Sequence, residues 1–100
     1  MHIISLKALR EFWQKHPAAK SPLRQWHAIV EHTDFRDFNH IRELFKSADY
    51  VPPYVVFDIA GNNFRLVVVV QYRGKKVYVR EVMTHREYDD WCKHYQKGKF

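Results

Sequence analysis

Tyr54-Val55-Val56-Phe57-Asp58-Ile59-Ala60-Gly61-Asn62-Asn63-Phe64-Arg65-Leu66-Val67-Val68-Val69-Val70-Gln71-Tyr72-Arg73-Gly74-Lys75-Lys76-Val77-Tyr78-Val79-Arg80-Glu81-Val82-Met83 is the stretch that decides the fold. Three runs rich in β-branched and aromatic residues are separated by Gly61-Asn62-Asn63 and Arg73-Gly74-Lys75, both suited to hairpin turns. The reading is a three-stranded antiparallel meander over 54–60, 64–72 and 76–83. If both loops hold an even number of residues, alternation sorts the side chains onto two faces. Val55, Phe57, Ile59, Phe64, Leu66, Val68, Val70, Tyr72, Val77, Val79 and Met83 share one face, with Glu81 its only charge, and that face is the expected core. Tyr54, Val56, Asp58, Arg65, Val67, Val69, Gln71, Lys76, Tyr78, Arg80 and Val82 share the other. The second face is too polar for a core and too apolar for plain solvent, and it is expected to stay open.

Working outward, His2-Ile3-Ile4 reads as a short opening strand. Leu6, Leu9, Phe12 and Trp13 recur at helical spacing before Pro17. Ser21-Pro22 suits the start of a second helix, with Ser as N-cap, and Leu23, Trp26, Ile29 and Val30 form its apolar stripe. Asp34 to Asn39 reads as a polar loop, Ile41, Leu44 and Phe45 as one helical turn, and Pro52-Pro53 as the launch of extended chain. After the meander, Thr84 with Glu87 three residues on makes a capping box, opening a last helix from His85 to about Tyr95 with Tyr88 or Trp91 facing inward. The expectation is a single α+β domain over 1–100: an N-terminal strand and two helices packed on an antiparallel meander, closed by a C-terminal helix.

Composition narrows the function. Seventeen Lys and Arg against eleven Asp and Glu give a net charge of +6 on 100 residues. A basic excess in a small apolar fold favours an anionic partner. The single cysteine, Cys92, forms no intrachain disulfide and no Cys-based zinc site, which suits a reducing cytoplasm. The N-terminus lacks the apolar core of a signal peptide, and the longest apolar run, Leu66 to Val70, is too short for a membrane span. No phosphate-cradling glycine motif occurs. His27 and His32 are five apart, wrong for one helical face, and His2, His16, His40 and His94 show no partner pattern, so no metal is expected.

The second face bears two readings. Exposed strands carry Arg and Lys simply to block edge pairing, and Asp58 opposite Arg65 can be a cross-strand ion pair and nothing more. Against that stands a convergence: Arg65, Arg80, His85 and Tyr88 can reach one surface. Arg matches phosphate through its planar fork, and Tyr can stack on an unpaired base. Tyr78, Lys76, Arg73 and Lys93 are the neighbouring candidates for RNA contact. Lys93, Lys97 and Lys99 otherwise make a solvated basic face.

The stretch Val56 to Val67, with Gly61-Asn62-Asn63-Phe64-Arg65-Leu66 in the pattern G-N-x-[YF]-R-L, is one mark of a family. Val79-Arg80-Glu81-Val82-Met83-Thr84-His85-Arg86-Glu87-Tyr88-Asp89, in the pattern [IV]-R-x-V-x-T-H-x-E-Y-D, is the other. Together they resemble the HigB toxins of bacterial type II toxin–antitoxin systems, mRNA interferases with a RelE-like fold. The resemblance spans the whole chain, and its specificity lies in the two motifs together. It implies endoribonucleolytic cleavage of mRNA, typically on the translating ribosome, without cofactor, and inhibition by a HigA-type helix-turn-helix antitoxin. It places Arg65 at the scissile phosphate and His85 at the position of a basic catalytic residue, with Tyr88 one turn on. The chain departs from the best-known RelE-type enzymes, which carry lysines on the strand before the turn, where Val56 and Asp58 stand here. His85 therefore becomes the leading proton-transfer group. RNA supplies its own nucleophile in the 2′-OH, and an imidazole titrates near neutrality, so base, acid and charge stabilisation are all within reach of these side chains. Two alternatives share the features: a gyrase-directed ParE-like toxin of the same fold, and a non-catalytic RNA-binding domain.

Overall fold

Residues 1–96 are described by a computed structural model, and within them the period-two stretch becomes the centre of a five-stranded mixed sheet. The elements in chain order are β1 (His2–Ile4), α1 (Leu6–Lys15), a 3₁₀ turn (Pro17–Ala19), α2 (Lys20–Glu31), α3 (Phe38–Leu44), β2 (Asp49–Val51), β3 (Tyr54–Ile59), β4 (Phe64–Gln71), β5 (Lys76–Thr84) and α4 (His85–Gln96). The sheet order is β1-β5-β4-β3-β2, with β1 parallel to β5 and every other pair antiparallel. The α+β expectation of an opening strand, helices, a meander and a closing helix holds, with more sheet than the meander alone. β1 closes one edge, and β2 adds to the other by pairing Asp49 with Val56 and Val51 with Tyr54. At three residues, β2 is too short to leave a period in the sequence.

The helices depart from the expected pattern in two places. The 3₁₀ turn runs straight into α2, so Ala19 takes the cap position and no side chain caps this end. Ser21 is therefore not the N-cap, and Pro22 falls inside the first turn, where a missing N–H costs nothing. α3 is longer than one turn because Asp37 caps it, accepting from the His40 N–H at 2.9 Å. The Met1 ammonium donates to the carbonyls of Val30, Glu31 and Thr33, and so ties β1 to the C-terminal end of α2.

The main core lies between the N-terminal helices and one sheet face. Leu9, Leu23, Trp26, Val30 and Ile41 meet Val55, Phe57, Leu66, Val68 and Val77. Trp26 and Phe45 both meet the Phe57 ring, with centroids 5.5 and 5.0 Å apart. Facing runs as expected up to one point on β5. Val67 pairs with Glu81, but Val68 pairs with Val79, so Arg80 is the extra residue of a β-bulge. Beyond it the alternation inverts. Met83 and Glu81 belong with Arg65 and Val67, and Val82 joins the helix side, the reverse of the simple parity assignment.

The second face is not open. α4 lies over it, and Val56, Val67 and Met83 are buried beneath Tyr88 and Trp91, with Val51 and Tyr54 at the side. Tyr88, Trp91 and Tyr95 form a stacked ladder, each centroid 5.7 Å from the next. The floor of valines required such cover, and residues at i, i+3 and i+7 of a helix supply it. No helix among the described residues is long and apolar enough to cross a membrane.

Candidate active site

The β3–β4 turn builds the site. Ala60 and Gly61 take positive φ values of 56° and 67°, which folds the chain tightly enough for Asn62 to face Arg65. Glycine adopts that region freely, whereas alanine does so at a cost. Asp58 and Arg65 pair across the two strands, and Asp58 Oδ1 lies 3.0 Å from Arg65 Nε. Arg65 Nη1 donates to the carbonyls of Asn62 (3.2 Å) and Phe64 (3.1 Å), and Nη2 donates to Asn62 Oδ1. The Tyr88 ring lies against the guanidinium, its centroid 5.5 Å from Cζ. Arg65 is 8% exposed, the one charged residue in the core of the described chain. Nε, Nη1 and Nη2 of Arg65 thus each have a protein oxygen within hydrogen-bonding reach. The cross-strand ion pair of the simpler reading is therefore present, and it holds a guanidinium that is fixed and almost dry.

The β5–α4 junction supplies the second group. The Thr84 N–H donates to Glu87 Oε1 (2.9 Å), and the Glu87 N–H donates to Thr84 Oγ1 (3.2 Å), completing the capping box. The next residue's N–H, that of His85, donates to the Asn63 carbonyl at 3.0 Å. Phe64 pairs with Thr84, so the turn holding Arg65 and the junction holding His85 are neighbours at one end of the sheet. The His85 side chain is 49% exposed, and its Nδ1 lies 3.5 Å from Asp89 Oδ2.

Tyr88 follows one turn on, but it faces the sheet. Burial pushes its phenol well above the ordinary tyrosine range. The Cys92 thiol and Asp49 push the same way, and Arg65 opposes them. The ring is a platform for Arg65, and its hydroxyl stays protonated at neutral pH.

The remaining candidates scatter. Arg80, at the bulge, is exposed, and its guanidinium lies over the Tyr78 ring, 5.7 Å from the centroid. Tyr78 pairs with Val69, four residues along β4 from Arg65, or roughly 13 Å at the rise of a strand. Arg80 also lines a groove against α1 with Glu11, Phe12 and Lys15. Arg73 and Lys76 sit at the opposite end of the β4–β5 hairpin, both exposed. Lys93 is exposed on α4, and Lys97 and Lys99 lie outside the described residues. Sequence reasoning missed Asn62 as a side chain with a task, although its place three residues before Arg65 in the turn was visible. It also missed His16, which stacks on Phe12 at 4.5 Å and lies 5.7 Å from the Phe64 ring, at the same end of the sheet. Among the described residues, no three His, Cys, Asp or Glu side chains converge as a metal site needs.

Known proteins resemble the chain along its whole length. Residues 19–91 match the family model of HigB_toxin, described as the RelE-like toxic component of a toxin–antitoxin system. The chain is 36% identical to the mRNA interferase toxin HigB of Escherichia coli (strain K12), over 99% of both chains. It is equally similar to the mRNA interferase HigB of Shigella flexneri. The mRNA interferase HigB of Escherichia coli O6:H1 is 29% identical, again over 99% of each chain.

Proposed function

This chain belongs to the HigB family of RelE-like toxins, and on that premise we propose that it is an mRNA-cleaving toxin whose reaction is run by Arg65 and His85. The observation that carries the assignment of groups is the clamped Arg65 guanidinium, next to the junction from which His85 projects. The RNA 2′-oxygen attacks the adjacent phosphorus, the bond from phosphorus to the 5′-oxygen breaks, and a 2′,3′-cyclic phosphate and a 5′-hydroxyl result. One proton leaves the 2′-OH and one reaches the departing 5′-oxygen. His85 serves proton transfer: its Nδ1 faces Asp89, which leaves Nε2 for the substrate. Arg65 meets the charge that grows on the phosphoryl oxygens with the field of its fixed guanidinium. A guanidinium held at all three nitrogens reorganises little during reaction, which is where electrostatic catalysis gains most. Tyr88 holds the guanidinium from below. Arg80, Tyr78, Lys76, Arg73 and Lys93 add outlying phosphate and base contacts.

The substrate is mRNA on the translating ribosome, the setting is the cytoplasm, and the inhibitor is a HigA-type helix-turn-helix antitoxin. The test is incubation of the purified chain with a synthetic mRNA, free and on programmed ribosomes, with end-group analysis of the fragments. Cyclic phosphate and 5′-hydroxyl ends on ribosomes are expected. Intact mRNA together with blocked DNA supercoiling would establish the gyrase-directed alternative, and intact mRNA with RNA binding would establish a non-catalytic domain.

A further inference from the structure

We infer that Asn62 is a positioning residue, fixing the Arg65 guanidinium from two of its own oxygens and thereby setting the cleavage rate; the inference rests on the proposed RNA-cleaving role of Arg65. The Asn62 carbonyl accepts from Nη1 and Oδ1 accepts from Nη2, so one residue grips both terminal nitrogens of the fork. Asp58 holds Nε from the other side and the Phe64 carbonyl takes a second bond from Nη1. Without Oδ1 of Asn62, the backbone carbonyls still hold Nη1, but Nη2 loses its partner and the guanidinium can tilt about the Nε–Nη1 edge. The grip on both Nη atoms stops that tilt and fixes the plane of the guanidinium.

Asn62 itself is exposed, and among the described residues its side chain serves Arg65. The neighbouring Asn63 carbonyl accepts the His85 N–H. One turn thus references both reacting groups, the guanidinium through Asn62 and the imidazole-bearing backbone through Asn63. A misplacement on the order of 1 Å can cost about 100-fold in rate, so loss of such a grip is expected to appear in the chemical step.

The test is a double-mutant cycle of Asn62→Ala and Arg65→Ala, read by single-turnover mRNA cleavage on programmed ribosomes. Asn62→Ala is expected to slow cleavage by about 10- to 100-fold at saturating substrate, with the half-saturation concentration almost unchanged. In the Arg65→Ala background, the same change is expected to have almost no further effect, because nothing remains to be positioned. Asn62→Asp, which keeps an acceptor for Nη2, is expected to recover most of the rate. An undiminished rate for Asn62→Ala, or an equal loss in both backgrounds, overturns the inference while leaving the RNA-cleaving role of Arg65 in place. Failure of the unmutated chain to cleave overturns the role itself. Should Asn62→Ala not fold, Asn62→Gly, which suits a turn and carries no side-chain acceptor for Nη2, replaces it in the same cycle.

Discussion

The β4–β5 hairpin carries cationic side chains at both ends, and the ends are built differently. At the Arg65 end the guanidinium is almost dry and bound by Asp58, Asn62 and Phe64, and a capping box fixes the adjoining backbone. At the Arg73 end, Arg73 and Lys76 stand in solvent around a four-residue turn, and Lys75, also exposed, reaches the exposed Asp34 at 3.4 Å. A charge held in place keeps its field aimed during reaction, whereas a solvated Lys or Arg must surrender rotamer freedom and water to act. The first end is built for chemistry, and the second for attraction of a polyanion.

The sharpest way to break that contrast is at His85. His85→Ala is expected to lower single-turnover cleavage by about 10²–10⁴-fold, the usual worth of a general acid or base. Stability should change little, because the side chain is half exposed. Cleavage near the unmutated rate would remove the imidazole from the mechanism and leave an enzyme of charge and alignment. Next comes Arg65→Ala, with an expected loss of about 10²–10³-fold. Burial adds a second effect that an open face would not have produced. The variant strips donors from Asp58, Asn62 and Phe64, and should lose about 1–3 kcal/mol in urea unfolding. A variant as stable as its parent would mean that the clamp contributes nothing to folding.

The contrast was only half legible in the sequence. The meander, the Asp58–Arg65 pair and the Thr84–Glu87 box are local, and period and spacing reveal them. The bulge at Arg80 carries no glycine or proline to announce it, and missing it inverted the facing of Glu81, Val82 and Met83. The inward aromatics of α4 were readable, but not the fact that they roof the face carrying Arg65. Burial of Arg65 follows from that roof, a long-range packing that alternation along a strand cannot express. Arg65 and Arg80, which parity put on one face, stand apart because Arg65 pairs with Met83 and Arg80 is the bulged residue, its guanidinium resting on Tyr78.

The exposed end gives smaller effects. Arg73→Ala combined with Lys76→Ala is expected to weaken RNA binding at low salt. It should reduce the slope of log K against log salt by about 1.4, roughly 0.7 for each phosphate of a single strand left without its cation. The cleavage rate at saturation should be unchanged. A fall in that rate with an unchanged salt slope would mean that this end takes part in the chemistry. Thr84→Ala removes one half of the capping box and should cost about 1 kcal/mol of stability, measured by urea unfolding.

The smallest effect tests whether the Tyr88 phenol belongs to the reaction or only to the roof. Its pKa is raised above the ordinary 10.0, chiefly by burial. The folded chain therefore keeps this proton at a pH where the unfolded chain has lost it. The sign follows from linkage: the unfolded state binds fewer protons above about pH 10, so stability falls as pH rises. The contribution is fully present below about pH 10 and is lost as pH climbs toward the raised folded value. Tyr88→Phe keeps the ring under Arg65 and removes the titrating group. Its stability should therefore decline less steeply above about pH 10 than that of the parent, with Tyr72, also raised by burial, supplying part of the remaining decline. Cleavage at neutral pH should stay within a few-fold of the parent rate, because the half-buried hydroxyl keeps its proton there. Urea unfolding across the alkaline range, with tyrosinate absorbance as a second probe, measures the first effect, and single-turnover cleavage measures the second. A large loss of cleavage with an unchanged alkaline profile would move Tyr88 from the roof into the chemistry.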